Sequence, residues 1–120
     1  MIDHMTLHVS DFSRARAFYH KALAPLGARE HMGDGQSHSG FGIDRPSFWI
    51  GTGEVGEPTH VAFTAADRKT VDAFYAAAIA AGGRDNGGPG LRLHYHPNYY
   101  GAFVLDPDGH NIEAVCHAPA

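Results

Sequence analysis

The chain has 120 residues, a formal net charge of −4 and a single cysteine, Cys116. That length holds one domain, or two small modules sharing a core. The absence of a Lys/Arg cluster argues against nucleic acid, no apolar run approaches the ~18 residues of a membrane span, and one cysteine cannot close a disulfide within the chain.

The chain begins "MIDHMTLHVSD", without the basic start and apolar stretch of a signal peptide. With the lone thiol, this sets the expectation of a protein of the reducing cytoplasm. Met5, Leu7 and Val9 alternate with polar residues, which predicts a half-buried strand. Asp11 stands where a helix N-cap belongs. After it Phe12, Ala15, Phe18, Tyr19, Ala22, Leu23 and Leu26 recur at helical spacing until Gly27. Short strands are expected near 28–32, 37–43 and 47–52, followed by a Gly/Pro-rich linker over 54–58.

The chain then repeats itself. Residues 60–83, "HVAFTAADRKTVDAFYAAAIAAGG", align without a gap on residues 4–27. His60 falls on His4, Asp67 on Asp11, Ala73-Phe74-Tyr75 on Ala17-Phe18-Tyr19, and Gly83 on Gly27. Further strands are expected near 84–86, 99–105 and 110–117, with "DPDG" (106–109) as a tight turn between the last two. A long Gly/Pro-rich loop over 86–98 precedes them, and loops of that length are often functional. The fold class expected is α+β: two βαβββ modules, about 1–53 and 59–117 of one domain, related by a pseudo-twofold axis. They would form a curved mixed-sheet cup with the helices outside.

Alternation also sorts the histidines, of which there are ten. The face of the first strand opposite its apolar residues carries His4, Thr6 and His8; that of the repeated strand carries His60, Ala62 and Thr64. In the last strand Glu113 shares its face with Asn111, Val115 and His117, whereas Cys116 turns toward the helices as a small core residue. If the two modules face each other, His4 and His60 meet across a cleft and Glu113 completes a two-histidine, one-carboxylate set. Such a set suits one divalent ion (Zn, Mn, Fe, Ni or Co) and leaves coordination positions open. The run "LHYHPNYYG" offers His96 and Tyr99 as rim residues, and Tyr99 shares strand parity with Phe103.

The set of motifs "HMTLHVSD…AFY…LG", "THVAF" and "DPDGHNIEA" resembles the vicinal oxygen chelate superfamily, across essentially the whole chain. That group includes glyoxalase I, fosfomycin-resistance thiol transferases, extradiol dioxygenases and bleomycin-resistance proteins. The resemblance implies a metal held by His4, His60 and Glu113, a small-molecule substrate, and a homodimer, with the cup built across two chains in some relatives. A fourth ligand at the end of the first module is missing here, where Trp49 and Gly51 stand. Three hypotheses follow. The first is a metal-dependent lyase or isomerase on an oxygen-rich metabolite, with Glu113 or His8 as proton carrier and Tyr99, Phe103, His96 and Thr64 around the substrate. The others are an extradiol-type dioxygenase and a metal-free module that sequesters a drug or metabolite.

Overall fold

The computed structural model describes residues 1–120. β1 (Met5–Val9) leads into α1 (Phe12–Leu23), a 3-10 turn (Ala24–Leu26), β2 (Arg29–Gly33), β3 (His38–Gly42) and β4 (Phe48–Thr52). β5 (His60–Thr64), α2 (Arg68–Ala80), β6 (Arg84–Asp85), β7 (Gly90–Leu91), β8 (Tyr100–Leu105) and β9 (Asn111–Cys116) repeat that order with one added strand, β7. The first sheet runs β1-β4-β3-β2 and the second β5-β9-β8-β6, with β7 also on β8. In each sheet the opening strand lies parallel to the closing one, and the remaining pairs are antiparallel. The architecture is α+β with two modules of matching strand order, as the duplication predicts.

Both helices start at their expected caps. Asp11 accepts a hydrogen bond from Arg14 N at 3.1 Å, and Asp67 accepts one from Thr70 N at 2.7 Å. α1 tightens into the 3-10 turn at Ala24-Pro25 and stops at Gly27, whose φ of +84° suits a residue without Cβ. The added strand β7 lies in the long 86–98 loop, where glycine and proline mask any period in the sequence.

The helix-covered faces of the two sheets meet in one core. Phe48 and Phe63 pack edge to face at 5.1 Å, the Tyr19 ring lies tilted against Phe48 at 5.0 Å, and Phe74, Val104 and Ile112 belong to the same cluster. Burial of Phe18 and Phe74, 1% and 0% exposed, contributes about 2 kcal/mol apiece. At the seam, a Cβ on Gly83 would come within 2.4 Å of Val104 and 2.8 Å of Phe18, so only glycine allows the end of α2 to approach this closely. Because these faces are joined, the opposite faces lie on the outside of the chain. Thr6 and His8 are exposed on the first sheet, His60 and Ala62 on the second.

The β8–β9 turn is docked on the first module. Asp106, 2% exposed, accepts from the Tyr19 hydroxyl and from the backbone N–H groups of Asp108 and His110, both at 2.9 Å. His110, 3% exposed, accepts from Thr59 N at 2.9 Å through Nδ1 and donates to His8 O at 3.1 Å through Nε2. Those two partners assign the Nε2–H tautomer. Ser10 closes the seam with hydrogen bonds from its backbone N–H and its hydroxyl to Asp108.

On the outer side of the first module, Arg16 forks onto Glu30 through two 2.7 Å hydrogen bonds, and the Ser39 hydroxyl adds a third. The Arg16 bond, opposed by partial burial, holds the Glu30 carboxyl down at about 2 against an ordinary 4.5. A depressed folded-state pKa gives stability that is present above the ordinary value and lost as pH falls toward the folded one. Glu30→Gln is therefore expected to flatten the fall in unfolding free energy between pH 4.5 and 2. The Arg16 side chain is 41% exposed, so solvent screening limits the effect to about 1 kcal/mol. Urea titrations across that range check this, and a slope equal to the parent's would show the pair to be neutral.

Candidate functional site

Register brings three of the proposed residues together. β5 pairs with β9 with Ala62 opposite Glu113, and β8 pairs with β9 with Phe103 opposite Glu113. Alternation then sends His60, Phe103 and Glu113 to the face of the second sheet away from the helices. Glu113 is nonetheless only 1% exposed. Its Oε1 accepts from His60 Nε2 at 2.8 Å, and its Oε2 accepts from the Tyr99 hydroxyl. Gly101 makes room for that pair, since a Cβ there would lie 3.2 Å from the Tyr99 ring and 3.3 Å from Glu113 Oε2. Burial, and then the bond to Glu113 and its charge, push the Tyr99 phenol well above its ordinary value. The hydroxyl is therefore a fixed donor to the carboxylate at neutral pH.

A carboxylate this deeply buried is costly unless a cation joins its partners. Its neighbours here are a phenol and an imidazole whose side chain is 53% exposed, with no Lys or Arg bonded to it. Imidazole nitrogen and carboxylate oxygen, 2.8 Å apart and open to solvent on the His60 side, are donors of the kind a divalent transition metal takes. They fit as two of the three ligands such a site needs.

His4 is not brought to them. It precedes β1, its side chain is 57% exposed, and Nδ1 hydrogen-bonds Asp3 at 2.7 Å, leaving Nε2 free. Within the chain no three His, Cys, Asp or Glu side chains are disposed to hold a metal ion. The expected meeting of His4 and His60 across a cleft does not occur in a single chain, because the modules join through their helix-covered faces. His8, the candidate proton carrier, lies on the first sheet with its ring against Gly53, away from Glu113. Thr64 ends β5 on the rim of a cavity of about 170 Å³ lined mainly by Leu23, Leu26, Phe41, Phe48 and Phe63. Phe103 does sit beside His60, with ring centres 6.2 Å apart.

The 92–100 segment divides by side. His96 and His117 hydrogen-bond through ring nitrogens at 2.7 Å, and both rings meet Tyr99 edge to face. They back the tyrosine rather than face the carboxylate. Asn98 N donates to His96 Nδ1, so His96 Nε2 carries the proton given to His117. Tyr100 turns to the helices and donates to Asp72 at 2.7 Å, and Cys116 is buried with Ala65, Val71 and Ala102. Arg92 also belongs to the site, lying over the Phe103 ring at 5.3 Å. No periodicity announces it, and the glycine-rich "NGGPG" before it is the only sequence signal.

Comparisons with known proteins place the whole fold. Residues 1–114 match the model of the Glyoxalase/Bleomycin resistance protein/Dioxygenase superfamily, and the chain belongs to that family. A glyoxalase/bleomycin resistance protein from Albidiferax ferrireducens is similar at 28% identity over 97% of this chain and 98% of that one, with a TM-score of 0.82. A glyoxalase/bleomycin resistance protein/dioxygenase family enzyme from Burkholderia phytofirmans shares the fold at 18% identity, with 98% of each chain covered and a TM-score of 0.74. So does a mutant of the fosfomycin resistance protein FosX from Listeria monocytogenes, complexed with Mn(II) and 1S,2S-dihydroxypropylphosphonic acid, at 24% identity over 96% of this chain and 88% of that one, TM-score 0.71. Comparison with curated proteins found no match.

Proposed function

We propose that the chain is a divalent-metal-dependent enzyme of lyase or isomerase type, acting on a small oxygen-rich metabolite. The observation that carries this is Glu113, buried between His60 and Tyr99 and lacking a charged partner of its own sequence. His60 Nε2 and Glu113 Oε1 are two ligands, and His4 of a second copy is the third. His4 suits that role because it is exposed with Nε2 uncommitted. A homodimer accounts for it economically, since a closed twofold contact makes two equivalent sites from the faces each chain leaves uncovered.

The ion, whether Zn, Mn, Fe, Ni or Co, supplies Lewis-acid activation of substrate oxygens when bound. The chain's own side chains do the rest. Tyr99 holds the Glu113 carboxylate in one orientation, and Phe103 walls the site beside His60. Glu113, or His8 arriving on the same strand face as the second copy's His4, moves the proton. The Mn(II) bound in the Listeria FosX structure supports this reading by likeness of fold. A metal-free binding module is the second reading, favoured by the direct His60–Glu113 bond, which satisfies both groups without an ion.

Mixed chains separate the two. His4→Ala and Glu113→Gln are each expected to bind no Mn(II) alone. Unfolded together and refolded at equal ratio, they should recover about a quarter of the parental sites, since half the dimers are mixed and each holds one intact site. Recovery of none, with folded protein throughout, would count against a centre shared between copies. Parental binding by His4→Ala alone would count against His4 as a ligand.

A further inference from the structure

The "NGGPGLR" segment is unused by the metal reading, yet it is built with care around one guanidinium. Arg92 lies over Phe103 at 5.3 Å, and Phe103 stands directly opposite Glu113 in the β8–β9 register. The backbone closes the same square from above, because Arg92 N donates to Tyr99 O at 2.7 Å. Arg92 and Tyr99 are thus paired residues of the loop, placed over Phe103 and Glu113, which are paired residues of the sheet. The guanidinium is seated by glycines. A Cβ on Gly87 would reach 3.2 Å from both Arg92 Nη2 and the Phe103 ring, and one on Gly90 would reach 3.2 Å from Arg92 Nη1. Gly87 also has a φ of +135°, a conformation that side chains rarely adopt.

What the seat leaves free is informative. The one side-chain hydrogen bond of Arg92 runs from Nη2 to Gly88 O at 2.8 Å, and no carboxylate pairs with it. Arg16, by contrast, is committed to Glu30 through two bonds. A planar fork of donors, oriented by a ring and three glycines and left without an anion, is matched by a two- or three-oxygen anion.

We infer that Arg92 is a specificity-determining residue that recognises a carboxylate or phosphonate on the substrate, whose hydroxyl end reaches the His60–Glu113 donors. The substrate class is therefore an anionic hydroxy compound rather than a neutral diol or aldehyde. This rests on the metal reading for the hydroxyl end only; the anion contact stands by itself.

The test uses the folded chain, Zn(II)-loaded and metal-free, titrated by NMR with three matched probes: glycolate, hydroxymethylphosphonate and ethylene glycol. At least one anion is expected to bind about tenfold or more tighter than ethylene glycol, and the stronger of the two identifies the oxyanion. Arg92→Ala should weaken that anion about 10–100-fold, as loss of a charge-assisted pair does, and leave ethylene glycol unchanged. Arg92→Lys, which keeps the charge and loses the fork, should recover part of the affinity and guards against a folding defect in the alanine variant. Equal binding of the neutral probe, failure of both anions to bind, or anion affinity indifferent to Arg92 overturns the inference. The metal reading fails separately. Zn(II) affinity should persist in Arg92→Ala, since removing a nearby cation cannot weaken a bound dication, and should vanish in Glu113→Gln. Zn(II) binding that survives Glu113→Gln, alongside Arg92-dependent anion binding, removes the metal reading alone.

Discussion

Glu113→Gln and His60→Ala are each expected to lower Mn(II) affinity by more than about 100-fold, measured by equilibrium dialysis or EPR of free Mn(II). Each removes a donor outright, and the glutamine also removes the only negative charge at the centre. Tyr99→Phe leaves both donors in place and frees one carboxylate oxygen, so its loss should be smaller, about 10–100-fold, as for outer partners that orient a ligand. The order of the three is the informative part. A purely structural carboxylate would reverse it: the glutamine variant would still hold an ion as the parent does, and its cost would fall on thermal stability. That result would remove Glu113 from any metal centre.

The second large effect lies at the seam. Asp106→Ala should destabilise the chain by about 3 kcal/mol, lowering Tm by roughly 10–15 °C. Three donors lose their acceptor at once: the buried Tyr19 hydroxyl and the backbone N–H groups of Asp108 and His110. Burial first, and then the Asp106 charge, push the Tyr19 phenol well above its ordinary value, so the hydroxyl cannot shed its proton to escape. Asp106→Asn keeps an acceptor and should cost less than half as much. In a cycle with Tyr19→Phe, coupling of 1 kcal/mol or more is expected, because the two groups share one bond. An alanine variant melting within 2 °C of the parent would show that the turn is held by its backbone alone.

Much of the fold was legible because the chain states it twice. The gapless match of residues 60–83 to 4–27 located both helices, both aspartate caps and the opening strand of each module. Alternation then placed His60 and Glu113 on one face, and the parallel pairing of β5 with β9 made that shared face a contact. The same rule could not bring His4 to them. Strand alternation says which side of a sheet a residue occupies, whereas which two sides meet is settled by burial of Phe48, Phe63, Phe74 and their neighbours in one core. Arg92 and β7 were hidden for a different reason. They lie where glycine and proline set the backbone, and local turn geometry leaves no period to read. Strand parity does not reveal the bond from the Tyr99 hydroxyl to Glu113 either, because it is the turn at residues 96–99 that folds the ring over the sheet.

The two donors differ in how firmly the fold grips them. Glu113 sits in the middle of β9, paired on both sides by β5 and β8, and held at one oxygen by Tyr99. His60 opens β5, an edge strand, and more than half of its side chain is in solvent. Were His60 and Glu113 to hold a cation, the carboxylate would fix its place and the imidazole would follow. Ions of different radius would then be met by a small swing of the β5 end, and the core behind Glu113 would not need to repack. A centre of that kind would be tolerant in which metal it accepts.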